Sequence, residues 1–310
     1  MVAKQFPASA KGEYRRVRVV APASAVNQEA IWRTVEALSG RGFEVTLGDH
    51  VFDVWHEVLR LAGRDVDRAK DLVAALEDPA VDWILAARGG YGALRLLPYL
   101  PQPVLDACYP KPLVGFSDIT VLHVLWHRMG WWSIHGPNAE ADWRGAAGES
   151  VAALLNPTPR LIAAEASLQC LAHPLDTSLT APWCGGNLTL LTALLGTPLA
   201  PRFDGCILYL EEVNEAPYRI DRMLQQIKLA GHFGHIRGVI FGDATGDEDH
   251  EGSEVRAILS EWGERVGLPV WWGFPSSHRS PTLAVPLGIP CTIDPSGRVS
   301  LAGSAAAQHA

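Results

Sequence analysis

Lys111-Pro-Leu-Val-Gly-Phe-Ser-Asp-Ile-Thr-Val-Leu-His-Val-Leu125 is the stretch from which the fold of this 310-residue chain is read outward. A short apolar run, Leu113 and Val114, ends at Gly115; Ser117 follows, and then a helix-like pattern begins. Strand, tight turn and helix form the repeating unit of α/β proteins. A serine at such a turn stands clear of the sheet, beside backbone N–H groups that neither strand nor helix has used. Proteins present a nucleophilic hydroxyl and an oxyanion site together in this way. A helix N-cap explains the same residues, with Ser117 and Asp118 starting the helix, and the full G-x-S-x-G spacing is absent.

The residues before this stretch repeat the pattern. Strands are predicted over 17–21, 43–47, 81–86 and 113–116. Helices are predicted over 27–39, where Ala30, Ile31, Val35 and Leu38 recur at helical spacing, and over 65–76, where Val66, Ala69, Leu72, Val73 and Leu76 do. Alternating β and α at this spacing predicts an α/β fold, a mainly parallel sheet covered by helices. Ligands on such sheets bind beyond the carboxyl ends of the strands. Two loops lie there: Ala87-Arg88-Gly89-Gly90-Tyr91-Gly92 and the Ser117 turn.

From about residue 141 to 180 the pattern weakens, punctuated by Asn156-Pro157-Thr158-Pro159 and His173-Pro174. This predicts an N-terminal α/β domain over 1–155, a linker over 156–178 and a second domain over 179–303. The tail 304–310 is expected to be disordered. The second half carries strand signals at 205–210, 238–241, 270–272 and 291–293. Its helix signals at 186–195, 218–230 and 253–266 complete an α+β unit with a β-rich core.

Composition narrows the function classes. Apolar residues at 48% and charged residues at 19% fit a folded protein rather than a disordered one. A net charge of −8 argues against nucleic acid as the main partner, because no excess of cations is present to neutralise phosphates. No apolar run approaches the ~20 residues of a membrane helix, and the N-terminus has no apolar signal core. A cytoplasmic protein without a membrane partner is the expectation. The five cysteines, Cys108, Cys170, Cys184, Cys206 and Cys291, show no C-x-x-C spacing. That argues against zinc or a redox dithiol and fits a reducing compartment. No metal or other cofactor is expected.

Several residues are candidates for chemistry. In the glycine loop, Gly89 or Gly90 could supply an oxyanion donor while Arg88 or Tyr91 contacts substrate; an ordinary strand-to-helix turn explains the loop as well. Glu211, Glu212 and Glu215 follow the apolar run 207–210. A carboxylate at a strand end can hold a histidine in one tautomer, or it can cap the next helix or lie in water. Among eleven histidines, His278 and His135 sit in loops after predicted strands, whereas His123, His127, His232 and His235 fall on or beside helices. His232 and His235 are three apart but lack a third ligand at a convincing spacing.

With these pieces in hand the chain resembles the LD-carboxypeptidases, serine peptidases that include muramoyl-tetrapeptide carboxypeptidases and the microcin C7 self-immunity hydrolases. Seven blocks in the family's order carry the resemblance: VVAPAS from Val19, ARGGYGALRLLPYL from Ala87, LVGFSDITVL from Leu113, IHGP from Ile134, GGNLTLL from Gly185, LYLEEVNEAPYRIDRML from Leu208, and SSHRSPTLAVPLG from Ser276. The resemblance implies Ser117 as nucleophile, His278 as general base and Glu211 as the acid that orients it. The N–H groups of Asp118 and Gly90 would form the oxyanion hole. It implies an N-terminal α/β sandwich carrying the serine, a β-rich second domain carrying the acid and base, an active site between them, and a homodimer.

The expected activity is hydrolysis of an L,D amide, releasing D-alanine from murein tetrapeptide in cytoplasmic peptidoglycan recycling. The microcin-immunity branch, with an aminoacyl-nucleotide substrate, is the alternative; a non-catalytic ligand-binding protein is another. Arg88 is the first candidate for the substrate carboxylate, with Tyr91 beside it. Trp183 either walls the cleft or fills the core. The histidine loop departs from the family pattern of Gly-His with an Asn four residues on: those positions hold Ser277 and Thr282.

Overall fold

The computed structural model describes residues 14–162, 167–231, 235–245, 252–278 and 282–302. The chain divides between Thr158 and Pro159 into two compact units.

The first unit runs β1 (Arg16–Val20), α1 (Gln28–Gly40), β2 (Glu44–Leu47), α2 (Asp65–Glu77), β3 (Trp83–Ala86), a 3-10 helix (Ala93–Tyr99) and α3 (Gln102–Asp106). It continues with β4 (Leu113–Gly115), a 3-10 turn (Ser117–Ile119), α4 (Thr120–Arg128), β5 (Ser133–His135) and α5 (Ala146–Leu154). Helix α1 starts where the Asn27 side chain accepts the Ala30 N–H at 3.0 Å, and it buries Ala30, Ile31, Thr34 and Leu38. All four β3 residues are inaccessible to solvent, as befits a parallel strand covered on both faces.

The strand order is β2-β1-β3-β4-β5, parallel throughout. The chain winds outward from β1 to β2 and then returns to β3 on the other side. The carboxyl ends of β1 and β3 therefore flank the topological switch point, where α/β sheets leave a crevice for ligands. The segment after β1, the glycine loop after β3 and the Ser117 turn after the adjacent β4 all gather at this end.

The second unit contains β6 (Gln169–Ala172), β7 (Leu179–Asn187), α6 (Leu188–Ala193), β8 (Ile207–Val213), α7 (Pro217–Leu229), β9 (Gly238–Thr245) and α8 (Ser253–Val266). Strands β10 (Val270–Trp272), β11 (Val285–Leu287), β12 (Pro290–Ile293) and β13 (Val299–Leu301) follow. Strands β11, β7, β8, β9 and β10 lie side by side in parallel. β6 pairs antiparallel with β10 at one edge. β12 pairs antiparallel with both β7 and β13. Among the described residues no helix is long and apolar enough to cross a membrane.

Three expectations shift. The stretch 156–178, read as a connection, contains β6, a short edge strand whose half-exposed residues carry little apolar signal. The helix predicted from residue 186 begins at Leu188, because β7 runs on to Asn187, whose side chain caps the helix by accepting the Leu190 N–H. β8 extends past residue 210 to Val213, so Glu211 and Glu212 lie inside the strand rather than after it. The tail 304–310 lies outside the described residues.

Candidate active site

Ser117 sits on a sharp turn. β4 ends at Gly115, Phe116 is extended, and Ser117 adopts a left-handed backbone with φ of 63°. A non-glycine residue is held there only by its surroundings, at a cost of roughly 1–3 kcal/mol. The surroundings are specific. A Cβ on Gly115 would stand 2.9 Å from Ala86 Cβ and 3.0 Å from both Asn138 Oδ1 and Ile119 Cγ2, so only glycine fits. Asn138 Oδ1 accepts the Phe116 N–H at 3.2 Å. The Gly115 carbonyl, 2.7 Å from His123 Nε2, can only accept, so that nitrogen carries the proton, while Nδ1 accepts from the Ser133 hydroxyl at 2.9 Å. Burial pushes His123 down to about 4, so it holds the strand end as a neutral imidazole.

The glycine loop backs directly onto this turn. A Cβ on Gly89 would stand 3.0 Å from Phe116 O, 3.1 Å from Ser117 Cβ and 3.4 Å from Asp118 N. Gly90 and Gly92 have φ of 89° and 128°, a region L side chains avoid. A Cβ on Gly90 would meet Ser24 Oγ at 2.5 Å. Ser24, after β1, donates its N–H to Gly89 O at 3.2 Å, and its Oγ accepts the Tyr91 N–H at 3.1 Å. Arg88 and Tyr91 remain about half exposed. Arg88 donates to Ala25 O at 3.1 Å, and its Nε lies 3.5 Å from Glu140 Oε2. Asp118 is buried, its Oδ2 accepting the Ala93 N–H at 2.7 Å.

In the second unit, His278 Nδ1 lies 2.8 Å from Glu211 Oε2, whose side chain is fully buried within β8. The other oxygen, Oε1, is buried and takes no hydrogen bond from a described residue. The loop that carries His278 leaves β10 and is pinned on both sides: the Tyr209 hydroxyl donates to Ser276 O, and Leu283 N–H donates to Pro275 O at 2.9 Å. The two positions that depart from the family pattern bond to each other, Thr282 Oγ1 donating to Ser277 O at 2.6 Å. Burial by itself would lower the His278 pKa. The hydrogen bond and charge of Glu211, with the charge of Glu212, outweigh it and raise the pKa above its ordinary 6.5. With Nδ1–H donated to the carboxylate, Nε2 is the atom left to accept a proton.

Residues 17–136 match the LD-carboxypeptidase N-terminal domain, and residues 180–293 match the LD-carboxypeptidase C-terminal domain. The chain belongs to the LD-carboxypeptidase family. A putative carboxypeptidase of Streptomyces coelicolor is 38% identical, covering 90% of each chain. The murein tetrapeptide carboxypeptidase of Pseudomonas aeruginosa is 32% identical over 88% of this chain and 91% of its own. Among solved structures, muramoyltetrapeptide carboxypeptidase from Oxalobacter formigenes superposes with a TM-score of 0.75 at 27% identity, covering 92% of this chain and 97% of its own. The wild-type microcin C7 self-immunity protein reaches 0.79 at 20% identity over 98% and 99%, a likeness of fold.

For this LD-carboxypeptidase chain the structure corrects some sequence readings. Trp183 is fully buried; it stacks parallel to Tyr209 at 6.4 Å and meets Phe274 edge-on at 5.3 Å, so it fills the core rather than walling a cleft. His135 is no loop residue: it is buried in β5 beside Phe116 and His123. His232 lies outside the described residues. Glu212 neither caps the helix that follows it nor lies in water. It caps α6 from the neighbouring strand β8, accepting from Thr189 N at 2.8 Å, Asn187 Nδ2 at 3.0 Å and Val213 N at 3.0 Å. Glu215 pairs with Arg219 at 3.3 Å. Among the described residues no three His, Cys, Asp or Glu side chains gather as a metal would require. The sequence suggested no role for Ser24, and for the Asp118 side chain none beyond helping to start the helix. Their only signals were their places in the VVAPAS and FSD blocks.

Proposed function

We propose that this chain is a serine-type LD-carboxypeptidase that removes the C-terminal D-alanine from the murein tetrapeptide L-Ala–D-Glu–meso-diaminopimelate–D-Ala. It would act as a cytoplasmic homodimer in peptidoglycan recycling. The observation that carries the reading is the Glu211–His278 hydrogen bond, 2.8 Å long on a buried carboxylate, which leaves Nε2 to act as a base. A serine on a left-handed turn, backed by a glycine loop rich in main-chain donors, supports the nucleophile and oxyanion assignments. The printed names of the relatives from P. aeruginosa and O. formigenes support the substrate class.

In this mechanism His278 Nε2 takes the Ser117 hydroxyl proton as Oγ attacks the scissile carbonyl carbon. The Asp118 and Gly90 N–H groups stabilise the tetrahedral oxyanion. His278 then returns the proton to the departing D-alanine nitrogen, leaving an acyl-Ser117 ester. Water, deprotonated by the same imidazole, hydrolyses that ester. Glu211 keeps Nδ1 protonated and stabilises the imidazolium formed in each half-reaction. Arg88, with Tyr91 beside it, is assigned to the substrate carboxylate.

The test compares two substrates: tetrapeptide, followed by D-alanine release, and a non-hydrolysable-phosphate aminoacyl-adenylate analogue, followed by cleavage of its amide. Release of D-alanine with no turnover of the second is expected. Turnover of the adenylate alone would replace the reading with a microcin-immunity activity, and turnover of neither would favour a binding protein.

A further inference from the structure

We infer that the Asp118 side chain is a positioning residue for the oxyanion hole, fixing the Gly89–Gly92 loop against the Ser117 turn through the Ala93 N–H at the loop's end. The inference rests on the proposed function for its chemistry and on independent geometry for its mechanics.

Asp118 does two things at one place in the chain. Its main-chain N–H lies at the turn beside Ser117, 3.4 Å from where a Cβ on Gly89 would stand. Its carboxylate reaches across to the far end of the same loop, where Oδ2 accepts the Ala93 N–H at 2.7 Å. One residue thus links the two strand ends that would supply the two oxyanion donors. The separation of donors in such a hole decides its worth, since they must converge on an atom that carries charge only in the transition state.

The rest of the loop is fixed to match. Gly92 O accepts from Arg68 Nη1 at 3.1 Å, and the same nitrogen donates to Pro22 O. Ser24 holds Gly89 O and Tyr91 N. The hydrogen bonds that restrain the loop therefore fall on both sides of Gly90. Arg68 has a fully buried side chain, paired with Asp65, and it places positive charge behind the Asp118 carboxylate.

A buried carboxyl is an expensive way to hold a loop. Asp118 is 2% exposed, and desolvation pushes its pKa up to about 6 despite the Ala93 N–H bond and the charge of Arg68. A small apolar residue would avoid that penalty but would leave the Ala93 N–H unmet and the loop free to move away from Ser117.

The test uses the full chain carrying Asp118→Ala or Asp118→Asn, with Ser117→Ala as control. It measures kcat and KM for D-alanine release, thermal denaturation, and hydrogen exchange of the peptide spanning residues 89–96. For Asp118→Ala, kcat should fall about 10²- to 10³-fold, the range for a misplaced oxyanion donor, with KM within about threefold of wild type. Exchange at Ala93 should accelerate. Asp118→Asn keeps one acceptor oxygen and should recover about tenfold or more of that loss.

Unchanged kcat in a folded Asp118→Ala would overturn the inference, and so would an Asn variant no better than Ala at equal stability. If Asp118→Ala does not fold, Asp118→Asn decides alone: a loss in kcat without a change in KM is required. If the wild type releases no D-alanine, the functional reading fails, and the exchange data still decide whether Asp118 holds the loop. Wild-type protection in Asp118→Asn and Asp118→Ala alike would reject it.

Discussion

His278 and Glu211 are joined by a 2.8 Å hydrogen bond in which the carboxylate is wholly buried and the imidazole about a quarter exposed. In the proposed mechanism this pairing would set the working pH. Burial alone would lower the His278 pKa, but the Glu211 bond and charge raise it above 6.5. A base must be neutral, so the acidic limb of kcat/KM should fall above pH 6.5. Glu211→Gln should move that limb downward and lower kcat by about 10²- to 10⁴-fold, because the imidazole loses its enforced tautomer. The stability contribution has the opposite dependence: it is full below pH 6.5 and is lost as the pH rises through the raised value. A pH–rate profile of the two proteins measures the shift.

Gly90→Ala should damage the loop after β3. Its φ of 89° disfavours any L side chain, and the new Cβ would lie 2.5 Å from Ser24 Oγ, which the Tyr91 N–H already uses. We expect about 1–3 kcal/mol of destabilisation and a fall in kcat of at least tenfold. Denaturant melts and initial rates separate the two effects.

Glu212→Ala should act through stability. Three donors, Thr189 N, Asn187 Nδ2 and Val213 N, would lose their acceptor in a buried place. The expected loss is about 2–5 kcal/mol, read as a lower denaturation midpoint. The neighbouring Glu211 holds a histidine while Glu212 holds a helix.

Trp183→Ala should likewise destabilise, by about 3–5 kcal/mol, through loss of its packing on Tyr209 and Phe274. Where the variant remains folded, KM for the tetrapeptide should stay within about threefold of wild type. A rise in KM well beyond that, at unchanged stability, would restore a substrate role for this tryptophan.

Much of the first unit was legible because β3 is a continuous apolar run buried along its whole length and α2 is amphipathic; α5, in the stretch from 141 where the pattern weakens, was not. β6 was not, since an edge strand exposing half of its residues looks like a loop. β8 was cut short for a related reason: Glu211 and Glu212 read as a polar end, although each is buried and bonded. Their burial depends on partners far away in sequence, His278, Asn187 and Thr189, which no local pattern reveals. Trp183 shows the converse, since a large aromatic beside a glycine pair suits a cleft or a core, and only packing decides between them.

Mass spectrometry of murein tetrapeptide after incubation with wild type and with Ser117→Ala tests the central claim most directly. Wild type should convert tetrapeptide to tripeptide and free D-alanine. Ser117→Ala should leave it intact, with a rate at least about 10³-fold lower and a melting curve close to wild type. Release of D-alanine by a folded Ser117→Ala at a rate near that of wild type would contradict the account.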